Sequence, residues 1–92
     1  MITSFRSKSL KRFWEKDDER GLNRHHVAKI GLILDQLDLA KRPEDMNSPG
    51  LDFHKLSGNN PSRWSVHVNG NWCVTFSFKD GDAFAVDYED YH

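Results

Sequence analysis

Cysteine is nearly absent: Cys73 stands alone among 92 residues. That excludes an intramolecular disulfide and any cysteine-based zinc site, and it fits a reducing, cytoplasmic setting. Proline occurs three times and glycine six times, too seldom for a collagen-like or low-complexity chain. No apolar run approaches the roughly 18 residues that a membrane helix needs. The basic opening from Met1 to Leu10 leads into no apolar stretch of the signal-peptide kind. A strong charge of either sign is missing too. The 13 basic and 14 acidic residues give a formal net charge of −1, whereas a protein holding nucleic acid by charge alone is strongly basic. What is present is aromatic: three Trp, six Phe and two Tyr bring the aromatic share to 12%, which argues against disorder. The length is that of one domain, 1–92. Such a chain buries only about 60–65% of the surface its unfolded form exposes, enough for one modest core.

The charges are unevenly placed. Ten basic against eight acidic residues up to Met46 leave the first half at +2, and three against six leave the remainder at −3. Arg6, Lys8, Lys11 and Arg12 form a basic run without an acid. Any nucleic-acid contact is therefore local or assisted by a partner, and a solvated helix face accounts for most single Lys or Arg residues.

Hydrophobic spacing divides the chain in two. Met1–Phe5 is short and β-compatible. Ser7 or Ser9 can cap a helix through Leu10, Phe13 and Trp14, ending in the charged stretch Lys16–Gly21 with Gly21 as C-terminal cap. Asn23 opens a second helix, whose Val27, Ile30, Ile33, Leu34, Leu37 and Ala40 form one apolar stripe. Pro43 ends it, and Arg42–Gly50 is a loop by composition. From Leu51 the period becomes two. Trp64/Val66/Val68, Trp72/Val74/Phe76/Phe78 and Phe84/Val86/Tyr88 alternate with polar residues and are separated by the hairpin signals Asn69-Gly70 and Asp80-Gly81. If all apolar sets share a face, three-residue loops pair Val68 with Trp72, Val66 with Val74, Trp64 with Phe76, Phe78 with Phe84, Phe76 with Val86 and Val74 with Tyr88. Ser65, His67, Cys73, Thr75, Asp87 and Glu89 then occupy an open polar face. The predicted class is α+β, two N-terminal helices packed on one face of an antiparallel sheet.

Five histidines can carry chemistry. His25 and His26 read as surface residues in the first turn of the second helix. His67 lies on the polar face, His54 near the start of a further strand, and His92 last, after Asp90 and Tyr91. Imidazole exchanges protons near neutral pH, which suits acid–base work on a phosphodiester. Tyr91 can donate a hydrogen bond or stack on a base, Asp90 can orient a histidine, and Lys55 and Arg63 can place a cation by a phosphate. No metal-ligand spacing or Gly-rich phosphate loop is visible. Cys73, a lone thiol on a strand, is more often inert than nucleophilic.

Over essentially its whole length the chain resembles the HigB toxins of the RelE/ParE toxin superfamily. The resemblance is carried by Met1-Ile2-Thr3-Ser4-Phe5, Pro49-Gly50, His54-Lys55-Leu56-Ser57-Gly58, Trp64-Ser65-Val66-His67-Val68-Asn69, Asn71-Trp72, Phe76, Gly81-Asp82-Ala83 and Asp90-Tyr91-His92. It implies a RelE-like microbial RNase fold and a ribosome-dependent endoribonuclease that cuts mRNA in the A site of the 70S ribosome. Attack would be by the ribose 2′-hydroxyl, without metal or cofactor, leaving a 2′,3′-cyclic phosphate, and the partner would be a HigA-type helix-turn-helix antitoxin. His54, Asp90, Tyr91 and His92 match the family's functional positions. His54 and His92 would move protons, Tyr91 would stack or hydrogen-bond, and Asp90 would orient, with Lys55, Arg63, His67 and Cys73 on the substrate side. Two positions depart from the family pattern. Cys73 stands where an Arg usually follows Asn-Trp, and Ser57 where some relatives have Lys. A thiol supplies neither the charge nor the donor fork of a guanidinium. The alternative is an attenuated or non-cleaving binding module on the same fold, including inhibition of a target as in the gyrase-directed branch, or a small structural protein.

Overall fold

The computed structural model describes residues 1–91, and His92 lies outside the described residues. Helices α1 (Lys8–Lys16) and α2 (Val27–Leu39) precede a short 3₁₀ turn at Pro43–Met46 and four strands. These are β1 (His54–Leu56), β2 (Arg63–Asn69), β3 (Trp72–Lys79) and β4 (Asp82–Asp90), forming an antiparallel sheet in the order β1-β2-β3-β4. The α+β class expected from the periodicities is the observed one.

The apolar stripe of α2 seals the sheet. Ile30, Ile33, Leu34 and Leu37 pack with Leu10 of α1, Met46 of the 3₁₀ turn, and Val66, Val74, Phe76 and Val86 of the sheet. Each is fully or almost fully buried, a placement that contributes roughly 1.5–3 kcal/mol per large aliphatic or aromatic side chain. Ser7 caps α1, its hydroxyl accepting from the Leu10 N–H at 3.1 Å. The helix ends at Asp17 rather than at Gly21, with Asp17 in the left-handed region (φ 55°). Helix α2 begins at Val27 rather than directly after Asn23. Asn23 instead builds a preceding turn, its Oδ1 accepting from the His25 N–H and its carbonyl from the His26 N–H. The side-chain cap is real but serves the turn.

At their outer rows the hairpins keep the expected register, Trp64 opposite Phe76, Val66 opposite Val74, and Val74 opposite Tyr88. Near the turns it shifts. Asn69, not Val68, faces Trp72, with an irregularity in β2 around Val68. Lys79 faces Asp82 across Asp80 and Gly81, both at positive φ (53° and 81°), so this is a two-residue turn of the type that matches strand twist. Phe78 consequently faces Ala83, not Phe84. A bulge around Ala85 (φ 51°) restores the register before Thr75 meets Asp87. Ala83 is thus the core residue, and Phe84 pairs with Ser77 on the opposite face. Parity alone sees loop length and bulges only as a sum, and here each two-residue turn is offset by one bulge residue.

The N-terminal segment runs parallel to β4, with bridges Ile2–Ala83 and Phe5–Val86. It covers an edge that would otherwise offer unpaired N–H and C=O groups. No helix among the described residues is long and apolar enough to cross a membrane.

Candidate active site

The polar face is built row by row from the strand register. His54 faces Ser65, Ser65 faces Thr75, and Thr75 faces Asp87, while His67, Cys73 and Glu89 make the adjoining row. The face is less open than alternation predicts, because Arg63, Ser65, Thr75 and Ser77 are buried on it. Arg63 is 3% exposed and lies across the sheet. Its guanidinium donates to Ser77 Oγ (3.2 Å), Thr75 Oγ1 (2.9 Å) and the Ala85 carbonyl (2.8 Å). Thr75 in turn donates a short hydrogen bond to the Glu89 carboxylate. Burial and the neighbouring Arg6 lower the Arg63 pKa, opposed by Glu89 and Asp87, yet a guanidinium stays charged at any physiological pH. The result is a fixed positive charge beneath the face. Replacing Arg63 by Met keeps much of its length but leaves those oxygens without their donor. Urea unfolding should show a loss of about 2–3 kcal/mol, the scale of hydrogen bonds to a buried charged group.

One cleft of about 480 Å³ gathers His54, Leu56, Ser57, Asn59, Cys73 and Tyr91. His54 projects from β1, and its Nδ1 is 2.9 Å from the Asp52 carbonyl. A carbonyl can only accept, so Nδ1 carries the hydrogen and the neutral ring keeps its basic lone pair on Nε2. Asp52 sits at positive φ (47°), a conformation tolerated by Asp better than by most residues. Tyr91 is anchored by its N–H to the Asn71 carbonyl at 2.7 Å, and the residue is 42% exposed. Burial, then Glu89 and Cys73, raise its pKa, so at neutral pH the phenol is protonated and able to donate.

The other expected site residues are spread around this cleft. Cys73 lines it directly, half-buried, with Sγ 4.0 Å from the Asn71 carbonyl. Lys55 has the opposite strand parity to His54 and borders a neighbouring recess with Ser57, Gly58 and Ser62. His67 is in the Cys73 row, with Nε2 2.9 Å from the Gly70 carbonyl. Asp90 is exposed at the end of β4, opposite Trp72. His92 falls outside the described residues. Among those described, no three His, Cys, Asp or Glu side chains are grouped to hold a metal ion.

Sequence reading missed two features. Glu89 and Thr75 form a polar chain above Arg63, which parity had placed on the right face without showing the contact. His26, expected at the surface, is 4% exposed, and its Nδ1 lies 2.6 Å from the Tyr88 hydroxyl. Nothing local signals that burial, because the partner is 62 residues away.

Comparison with known proteins places the chain in a family. The chain is 38% identical, over 92 residues and the full length of both proteins, to the endoribonuclease HigB of Proteus vulgaris. Residues 3–92 match the HigB-like toxin family, described as the RelE-like toxin of the type II toxin–antitoxin system HigB. With a matching fold and a family match across nearly every residue, the chain belongs to the HigB-like toxins of type II toxin–antitoxin systems, and its system includes an antitoxin.

Proposed function

We propose that this toxin is an mRNA endoribonuclease that works on the translating ribosome and so stops protein synthesis. The observation that carries the proposal is the cleft that joins His54, its Nε2 lone pair left basic by the Asp52 carbonyl, to the protonated phenol of Tyr91. The relative named as an endoribonuclease supports the same chemistry. In the proposed step a base takes the proton of a ribose 2′-hydroxyl while the 2′-oxygen bonds to the adjacent phosphorus. The bond from phosphorus to the 5′-oxygen breaks, and an acid protonates that oxygen. The products are a 2′,3′-cyclic phosphate and a free 5′-hydroxyl, and the reaction requires no metal.

His54 and His92 carry the protons in this scheme, Asp90 orients a histidine, and Tyr91 stacks on a base or donates to the phosphate. Arg63 contributes a positive field from beneath, with Lys55, His67 and Cys73 bordering the substrate. A net charge of −1 suits an enzyme whose RNA is held largely by the ribosome. The partner in this reading is a HigA-type helix-turn-helix antitoxin, and the toxin acts in the cytoplasm. The neutral Cys73 in the cleft favours a second reading, a toxin that binds its target without cutting.

Primer extension on mRNA from cells expressing the chain, with and without translation blocked, separates the two. Translation-dependent cleavage ends support the nuclease, and growth arrest with intact mRNA overturns it. Within the nuclease reading, Tyr91→Phe keeps the stacking surface and removes the hydroxyl. It should lower the cleavage rate about tenfold, the equivalent of one hydrogen bond of about 1.4 kcal/mol. Tyr91→Ala should lower it further, and equal rates for Phe and wild type would assign Tyr91 to stacking alone.

A further inference from the structure

His26 sits at the N-terminal end of α2, the N-cap position, without a side-chain cap bond. Its ring turns instead to the far end of the sheet. The 2.6 Å contact to Tyr88 is joined by ring contacts to Tyr88 and Trp72, both at 6.1 Å between centroids. Trp72 and Tyr88 are themselves stacked at 4.4 Å. Burial raises the Tyr88 pKa, and the nearby Asn23 backbone opposes that rise. The Tyr88 hydroxyl and His26 Nδ1 thus share one hydrogen bond, whose donor is set by the His26 tautomer.

This cluster touches the strand ends that carry the cleft. Trp72 faces Asp90 in the register, and Asn71, the preceding residue, holds the Tyr91 N–H. The cluster lies on the helix side and the cleft on the polar side, so the end of β4 is gripped from behind. We infer that His26 is a positioning residue: through Tyr88 and Trp72 it fixes the end of β4 against α2 and thereby sets where Tyr91 stands over the cleft. The inference rests on the nuclease reading of Tyr91 for its effect on rate, but not for its effect on structure.

Three variants test it. Tyr88→Phe keeps the stack and removes the hydroxyl, His26→Ala removes the ring, and His26→Asn places an amide, able to donate or to accept, near the position of Nδ1. For RNA cleavage, Tyr88→Phe and His26→Ala should each lower kcat about tenfold with KM changed less than about twofold, and His26→Asn should restore most of it. By amide exchange, the Tyr91 N–H should exchange about tenfold faster in the two damaging variants while the Val74 N–H is unchanged, the pattern of a local opening. Unchanged Tyr91 exchange in Tyr88→Phe overturns the inference, as does equal acceleration at Tyr91 and Val74, which signals general destabilisation. If His26→Ala does not fold, the Tyr88→Phe and His26→Asn results decide. If the wild-type chain cleaves no RNA, the nuclease reading fails and the exchange data alone judge the positioning role.

Discussion

Exchanging His54 for Gln should reduce RNA cleavage by about 100- to 10,000-fold, the range lost when a positioned proton-transfer group is removed. Glutamine preserves polarity and can hydrogen-bond, but it cannot cycle a proton near neutral pH. His54 is exposed on the three-residue edge strand β1, so the change should leave thermal unfolding close to wild type and separate chemistry from folding. Single-turnover cleavage of a ribosome-bound message, beside a melting curve, makes the comparison. A rate within a few-fold of wild type would remove His54 from proton transfer and leave its side chain a contact residue.

Changing Cys73 to Arg should act in the opposite direction. Cys73 shares the cleft with His54 and Tyr91, and its strand parity aims it at the polar face. A guanidinium there would meet the non-bridging oxygens of the reacting phosphate, where negative charge builds up, and its two-pronged donor geometry suits them. One well-placed donor of this kind is worth about 2–4 kcal/mol of barrier, so cleavage should rise roughly a hundredfold or more. Glu89, opposite Cys73 in the register, already accepts from Thr75, which limits its hold on the new cation. Lys at the same position should help less, being a point charge without the fork. If parent and variant both arrest growth and leave ribosome-bound message intact, the toxin works by binding. The buried Arg63 cannot substitute fully, because three of its five N–H donors are already engaged by Ser77, Thr75 and Ala85.

Much of the fold was legible because it follows from period. The three- and four-residue spacing in α2 and the alternation of β2, β3 and β4 each fixed an element and its inner face. The pairs farthest from the turns could be written down in advance, since one buried face allows only one parity there. What period does not encode is a bulge. Phe84 and Ala83 exchanged roles because the strained backbone at Ala85 supplies the residue that the short Asp80-Gly81 turn omits. The site was legible to the extent that His54, Cys73 and Tyr91 share a face, and the distribution of its charges was not. Arg63 read as an available surface cation. Only its long reach across neighbouring strands, to oxygens on β3 and β4, explains why it is buried. His26 was invisible for a related reason: a polar residue at a helix start has no reason to be buried until Tyr88 arrives to receive it.

The parallel bridges from Ile2 to Ala83 and from Phe5 to Val86 also impose an order on biosynthesis. A polypeptide grows from its amino end, so the first residues emerge long before the strand they dock on exists. Until residues 83–86 have left the exit tunnel, α1 and the segment ahead of it lack their main scaffold, and the cleft lacks Tyr91 altogether. Docking of the amino-terminal segment onto β4 is therefore a late step in the folding of the growing polypeptide.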